Sequence, residues 1–389
     1  YLLSLVGKGS TGNWPEALWE DSECSEKIVE AVDCGLQEKD PLWILIWGGP
    51  LELARALRKV EQTRSAEKAE VFRSWIRVYA IGDQYDGSGP WIKERYPDLF
   101  YITSASSFRG MYRGGNPQLA DTKWVEEHVR KNHGPLGAAY PMYDGGDPWG
   151  RVEGMKEGDS PSFLYLLPGG PGEPERPELE SWGGRFRPVR KPDCITGSGI
   201  CRQYTDAEYR NSISEDERSG AGTGSKWGKD EKEQKNPNVA AETVSCWRTA
   251  FQADFAARLD WCVKEYGEVN HPPVVRTEGP SRMSVRPGEE ICLNASGSMD
   301  PDGDRLFFQW ELYLESGTYS GRLRMEQKGE KFGFRAPQTK EGCEFSVLLT
   351  VRDSGNPSLS GYRRFFIQVK PERKSNDKKG KKRPHSRPT

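Results

Sequence analysis

Histidine is scarce, with four in 389 residues, and none of the eight cysteines forms a C-x-x-C pair. Neither zinc-ligand spacing nor a dithiol redox motif is therefore present. No apolar run reaches the length of a bilayer, so no membrane span and no membrane partner are expected. No G-x-x-x-x-G-K-[ST] spacing occurs, which excludes a phosphate loop. Charge of one sign is also missing: Lys+Arg 56 against Asp+Glu 58 leaves a formal net charge of −2. Bulk electrostatics thus point away from a nucleic-acid partner. The opening run Tyr1 to Val6 is too short for a secretory apolar region, has no basic segment before it and lacks an initiator Met. The sequence is expected to begin inside a domain, so the missing leader carries no information about secretion.

Aromatic residues and turn formers are abundant: 13 Trp, 15 Tyr, 14 Phe, 43 Gly and 27 Pro. An aromatic-rich, loop-rich chain suits flat, weakly charged ligands such as sugars, although core packing accounts for most aromatics. The stretch "DPLWILIWGGPLELARAL" joins a continuous apolar run, Leu42 to Trp47, to a helical pattern through Gly48 and Gly49. The run reads as a strand buried on both faces of a parallel sheet. The glycines permit a turn that brings backbone close to a ligand, at the strand end where open α/β sheets bind one. A plain tight turn is the simpler alternative.

Strands are expected again at Ile76 to Ile81 and Leu99 to Ile102, with a short helix from Pro90 between them and a helix over Trp124 to Val129. This alternation predicts an open, mostly parallel α/β sheet. The segment "KEGDSPSFLYLL" predicts a strand at Phe163 to Leu167, and residues 168 to 192 are too rich in Pro and Gly to be regular. Residues 211 to 240 are polar enough for a disordered insertion. "CWRTAFQADFAARLDWCVKEYG" then reads as one long amphipathic helix with an Asp254–Arg258 ion pair. Cys246 and Cys262, about 24 Å apart on it, cannot bond to each other.

The α/β domain is expected to cover residues 1–268, followed by a linker at 269–276 and a β-sandwich at 277–371. "ICLNASGS", "LFFQWELYL", "FSVLLTVRD" and "YRRFFIQVK" supply its strands. A basic low-complexity tail, 372–389, reads as a solvated end. Cys292 and Cys343 flank Trp310 and are expected to form an inter-sheet disulfide; Cys194 and Cys201 are expected to close a short loop. Asn294 begins a glycosylation sequon, meaningful in a secreted protein. Asp300, Asp302 and Asp304 alternate around Gly303, as in a Ca²⁺ loop or a simple Asp-Gly turn.

The blocks "PLWILIWGGPLELARAL", "GDQYDGSGPWIKERYPDLFYI", "HGPLGAAYP", "KEGDSPSFLYLL", "SWGGRF" and "WRTAFQADFAARLDWC" follow in an order that resembles the cellulose-binding-protein family. That family has a nucleoside-hydrolase-like domain and a C-terminal sandwich of immunoglobulin or PKD type. The resemblance implies an open α/β fold, N-terminally truncated here, with its pocket at the carboxyl ends of the strands. It implies a carbohydrate or nucleoside ligand, an extracellular setting, and either glycosyl-bond hydrolysis or carbohydrate binding without catalysis. It also implies Ca²⁺ in the full-length protein, held by an aspartate cluster that should precede Tyr1. One departure stands out: Leu51-Glu52 follows the glycine pair where the family carries Asn-Thr.

The acids expected to do chemistry are Asp159 and Glu157. Gly48, Gly49, Asp83, Gln84 and Asp86 are expected at the pocket, with Trp91 and Trp182 as stacking platforms and Arg185 as a grip on a hydroxyl or carboxylate. Turn formation, buried anchoring and a structural salt bridge are the respective alternatives.

Overall fold

A computed structural model describes residues 6–9, 14–84, 87–144, 153–189, 201–207, 237–314 and 316–372. Asp86, Cys194, most of the polar insertion and nearly all of the basic tail lie outside the described residues. Two compact units form. The first runs to Pro273 and takes in 300–306 and 352–362; the second contains 274–299, 307–351 and the chain from 363 onward. The expected linker therefore divides at Pro273, and Val274 already pairs with Met299 as a β-bridge.

In the first unit, helix α1 (Glu23–Glu38) is opened by a reciprocal cap: Ser22 Oγ accepts from Ser25 N and Ser25 Oγ accepts from Ser22 N, both at 3.0 Å. Strand β1 (Leu42–Ile46) leads through the glycine pair into α2 (Leu51–Thr63). Leu53, Leu57 and Val60 bury one face of α2. Helix α3 (Ala66–Ser74) precedes β2 (Ile76–Ile81), and α4 (Ser88–Arg95) precedes β3 (Phe100–Ser104). Further on come a two-residue pair, β4 (Tyr143–Asp144) and β5 (Glu153–Gly154), then β6 (Phe186–Pro188) and β7 (Gln203–Asp206).

The main sheet has the order β1-β2-β3-β7-β6, parallel except for the β6–β7 pair. All six residues of β2 are buried. Their alternation divides the core: Ile76, Val78 and Ala80 join the cluster containing α2 and α3 residues, while Tyr79 and Ile81 pack with Phe100, Tyr165 and Phe186. By contrast β1 pairs only with β2 and is mostly half-buried, so the expectation of a strand buried on both faces is corrected. Within the described residues it is an edge strand.

Two helix expectations also change. Phe163 to Leu167 is not a strand; Pro161–Leu164 is a short helix, with Pro161 at its first turn and Leu164 N donating to Ser160 O at 3.0 Å. The helix expected from Cys246 to Gly267 is shorter, α6 (Arg248–Trp261), and a separate helix that was not expected, α5 (Pro237–Ser245), precedes it across Cys246 and Trp247. At the start of α6 the buried Arg248 guanidinium ties the helix to the 110–116 segment, donating to the carbonyls of Gly110 (2.5 Å), Gly114 (2.6 Å), Arg113 (3.0 Å) and Asn116 (3.3 Å). Residues 237–240 are helical, which shortens the insertion expected over 211–240. The Asp254–Arg258 pair forms at 2.6 Å.

The second unit is strand-rich. β8 (Arg282–Val285), β10 (Phe307–Tyr313), β13 (Cys343–Arg352) and β14 (Ser360–Val369) make a four-stranded sheet, and β9 (Glu290–Asn294), β11 (Met325–Lys328) and β12 (Lys331–Arg335) a three-stranded one. Trp310 from one sheet stacks on Phe332 from the other at 5.4 Å.

The inter-sheet disulfide expected beside Trp310 does not form: Cys292 and Cys343 are free thiols. Ile291 and Leu293 are buried, so strand alternation turns Cys292 to solvent opposite Gly333, while Cys343 is buried. Cys201 is free as well. The sequon Asn294 is half-buried, with its Oδ1 accepting from Ser296 N at 3.0 Å.

Candidate functional site

The carboxyl end of β1 is where the chain opens space. Gly48 has φ 153°, and a Cβ built there meets no atom within 4 Å. A cavity of about 300 Å³ lies along the strand, lined by Ile28 of α1, Ile44 and Leu45 of β1, Trp47, both glycines and Glu52 of α2. Gly48 and Gly49 both border this cavity. Glu52 does not face the cavity as a free charge. It accepts from Arg55 Nη1 at 2.8 Å and from the Ser22 hydroxyl.

Trp47 is the residue that sequence reasoning passed over, having taken it for the end of a buried strand. Its side chain is 57% exposed beside the cavity, yet its Nε1 donates to Ser162 Oγ at 2.8 Å, and Ser162 Oγ donates to Asp159 O at 2.7 Å. An indole that is both uncovered and fixed is a ready-made apolar platform. Its position immediately before a glycine pair at a strand end was the available signal.

The neighbouring strand end carries Asp83, Gln84 and the beginning of the segment that holds Asp86. Gln84 N donates to Gly48 O at 3.1 Å, joining the two turns. Asp83 sits at φ 45° with its carboxylate engaged by Lys93 (2.7 Å), Tyr101 OH (2.5 Å) and Thr103 (3.5 Å). It braces the end of β2 against α4 and β3 and does not line the cavity.

Glu157 and Asp159 come from the loop before the short helix. Glu157 accepts from Ser160 Oγ at 2.5 Å and from the Tyr140 hydroxyl, bonds that fix its orientation. Asp159 is exposed at its tip, but partial burial and then the Glu157 charge push its carboxyl above the usual range. One acid is thus tied by two hydroxyls, and the other has its carboxyl raised.

Trp91 packs edge-on against Trp14 (6.0 Å) and Tyr96 (5.7 Å), as an anchor. Trp182 is 3% exposed and lies edge-on to Tyr362 at 6.1 Å, so no ligand ring reaches its face. Arg185 is buried, consistent with a structural role over a grip on a ligand. At the strand ends the described acids do not gather into an oxygen cage for Ca²⁺. Among the described residues, three acids converge only at Asp300, Asp302 and Asp304.

A mostly parallel α/β sheet with a cavity at a strand's carboxyl end precedes a two-sheet β-domain in sequence, and the matches to known proteins make that fold nucleoside-hydrolase-like. The family described as Cellulose-binding Sde182, nucleoside hydrolase-like domain, matches residues 1–186, and the Cellulose-binding protein Sde0182, C-terminal domain, matches residues 290–369. A solved nucleoside hydrolase-related hypothetical protein from Saccharophagus degradans, described as associated with carbohydrate metabolism, is 30% identical. The match covers 90% of this chain and 76% of that one, with a TM-score of 0.67. The chain belongs to the Sde182 cellulose-binding protein family.

Two small domains also align: the PKD domain from KIAA 1837 protein (15% identity, TM-score 0.19, 26% of this chain and 95% of that one) and titin domain M7 (12%, 0.17, 26% and 97%). No curated protein matches the chain. No helix among the described residues is long and apolar enough to cross a membrane.

Proposed function

We propose that the first unit binds carbohydrate at the carboxyl end of β1, with one sugar ring stacked on Trp47 and its edge over the glycine turn. The observation that carries this reading is the pairing of exposure and fixation at Trp47 beside the cavity. A sugar presents an axial C–H face that covers apolar aromatic surface, while its hydroxyls need polar groups around the rim. Exposed backbone at Gly49 and the loop of Asp159 supply such groups. Because cellulose lies outside cells, an extracellular setting goes with this reading.

The test is calorimetric titration of the full chain with cello-oligosaccharides and, in parallel, with a purine nucleoside. Saturable sugar binding that weakens in Trp47→Ala supports the reading. Binding of the nucleoside alone, or of neither, overturns it.

Glycosyl-bond hydrolysis is the second reading, favoured by the unequal acids Glu157 and Asp159. In its protonated form Asp159 would donate a proton to the departing glycosidic oxygen. Water would attack the anomeric carbon and lose a proton to Glu157. This reading requires Asp159→Asn to abolish sugar release while leaving binding in place; equal release by wild type and variant removes Asp159 from the chemistry.

A further inference from the structure

The segment 300–304 carries three aspartates whose ligating oxygens all lie within 4.8 Å of one another. Oxygens that each stand about 2.3–2.6 Å from one Ca²⁺ are separated by no more than about 5 Å. Part of the cluster is satisfied from within the protein. Asp300 Oδ1 accepts from Asp302 N (2.9 Å) and Asp304 N (3.1 Å), and Asp304 Oδ1 accepts from Ser354 Oγ at 2.8 Å. Asp302 is gripped by His271, whose backbone N donates to it at 2.7 Å and whose Nδ1 lies at 3.0 Å.

Those bonds leave Asp300 Oδ2 buried without any hydrogen-bond partner. A second orphan lies next along the chain from His271. Asn270 is 8% exposed, its Nδ2 donates to Asp353 Oδ2 (3.0 Å) and Pro357 O (2.8 Å), and its Oδ1 has no partner. Asp353 is itself 1% exposed and within electrostatic reach of Asp300. Buried oxygens are ordinarily paired, and a carboxylate oxygen left without a donor is costly. Here one such carboxylate oxygen belongs to the cluster itself, and one unpaired amide oxygen belongs to Asn270, the residue before the His271 that holds Asp302.

We propose that this segment binds one hard divalent cation, Ca²⁺. Asp300 Oδ2 is the buried anchor, Asp302 and Asp304 contribute carboxylate oxygens, and Asn270 Oδ1 is available as a neutral ligand. Several carboxylates on a turn suit the irregular shell of Ca²⁺ better than the octahedron and retained waters of Mg²⁺. The cation would fasten 270–271 to 300–304, and through Asp353 to the following loop, within the first unit.

The experiment uses the full chain, stripped with a chelator and titrated with Ca²⁺ by calorimetry, with thermal unfolding measured alongside. One saturable site below about 1 mM, with a Tm increase that equal Mg²⁺ does not reproduce, is expected. Asp300→Asn should weaken binding by roughly tenfold or more, yet unfold no earlier than wild type in chelator, since the amide oxygen can still accept from Asp302 N and Asp304 N while the donorless carboxylate oxygen is removed. Asp304→Asn gives an independent second variant should the first fail to fold. Lack of saturable uptake, an equal response to Mg²⁺, or unchanged affinity in both variants overturns the assignment and leaves a self-contained acidic turn.

Discussion

Replacing Trp47 by alanine is the sharpest perturbation of the proposed sugar site. Trp47 is 57% exposed, which for a side chain of about 250 Å² leaves roughly 140 Å² uncovered. A sugar ring covers one face, or about 70 Å², worth about 1.8 kcal/mol at ~25 cal/mol per Å². With about 1.4 kcal/mol per decade, affinity should fall by roughly 20-fold. The same change removes the hydrogen bond to Ser162 and the roughly 110 Å² of indole already covered in the folded chain, so stability should drop by up to about 3 kcal/mol. Trp47→Phe separates the two effects, because it keeps an aromatic face and loses the N–H; its affinity should lie between wild type and alanine. The assay is titration calorimetry with a soluble cello-oligosaccharide, with urea denaturation as control. Alanine and wild-type proteins binding within twofold of each other would refute the stacking argument outright, whatever the fate of stability.

Other expectations bear on the scaffold. Arg55 is 0% exposed and its Nε and Nη1 donate to Ala17 O (2.7 Å) and Glu52 (2.8 Å); Arg55→Ala should cost about 3 kcal/mol in urea denaturation by stranding both acceptors. In Gly183→Ala the new Cβ would lie 2.2 Å from Pro161 O and 2.6 Å from Tyr165 Cβ. A loss of about 2 kcal/mol is expected, with a change in Trp47 fluorescence as the Ser162 helix shifts. Asp159 has a raised carboxyl, from burial first and Glu157 second, so the folded chain holds that proton more tightly than the unfolded chain. Its contribution is full below the unfolded value and is lost as pH rises through the folded one. Asp159→Asn should therefore match or slightly exceed wild-type stability at neutral pH, with the difference vanishing in acid; a variant less stable at neutral pH contradicts this. Cys292, exposed, should react rapidly with a thiol reagent in the native protein, whereas buried Cys343 should react only on unfolding; non-reducing peptide mapping that finds them bonded reverses that correction.

The central strands and α2 were legible because their signals are local. Ile76–Ile81 is a branched and aromatic run that needs no knowledge of its neighbours, and Leu53, Leu57 and Val60 recur at helical spacing. Four sandwich strands were readable from apolar alternation. Met325–Lys328 was not, since all four residues are exposed and only backbone pairing with β12 defines the strand. Phe163–Leu167 was ambiguous in the way short apolar runs are. The discriminating fact, Pro161 at a helix start, stood in the sequence but was outweighed by hydrophobicity. Cys292 lies between Ile291 and Leu293, and their alternation already implied an outward thiol; the analogy with a Cys-Trp-Cys sandwich overrode it.

The site itself was less legible for a different reason. A carboxylate at a strand end is uncommitted in the sequence, and only tertiary partners decide whether it is free for a ligand. Asp83 meets Lys93 and Tyr101, which arrive from a different helix and a different strand. Glu157 meets Tyr140 in the same way. Two of the acids that looked most chemical are thereby spent on the fold, at least in part. Trp47 shows the reverse. Its apolar character suggested burial, yet it ends an edge strand whose open side has no described neighbour, so the indole remains uncovered and is fixed only at its nitrogen. Free energy remains available for a ligand where a group's contacts are incomplete after folding, and along this edge that is the tryptophan more than the aspartate.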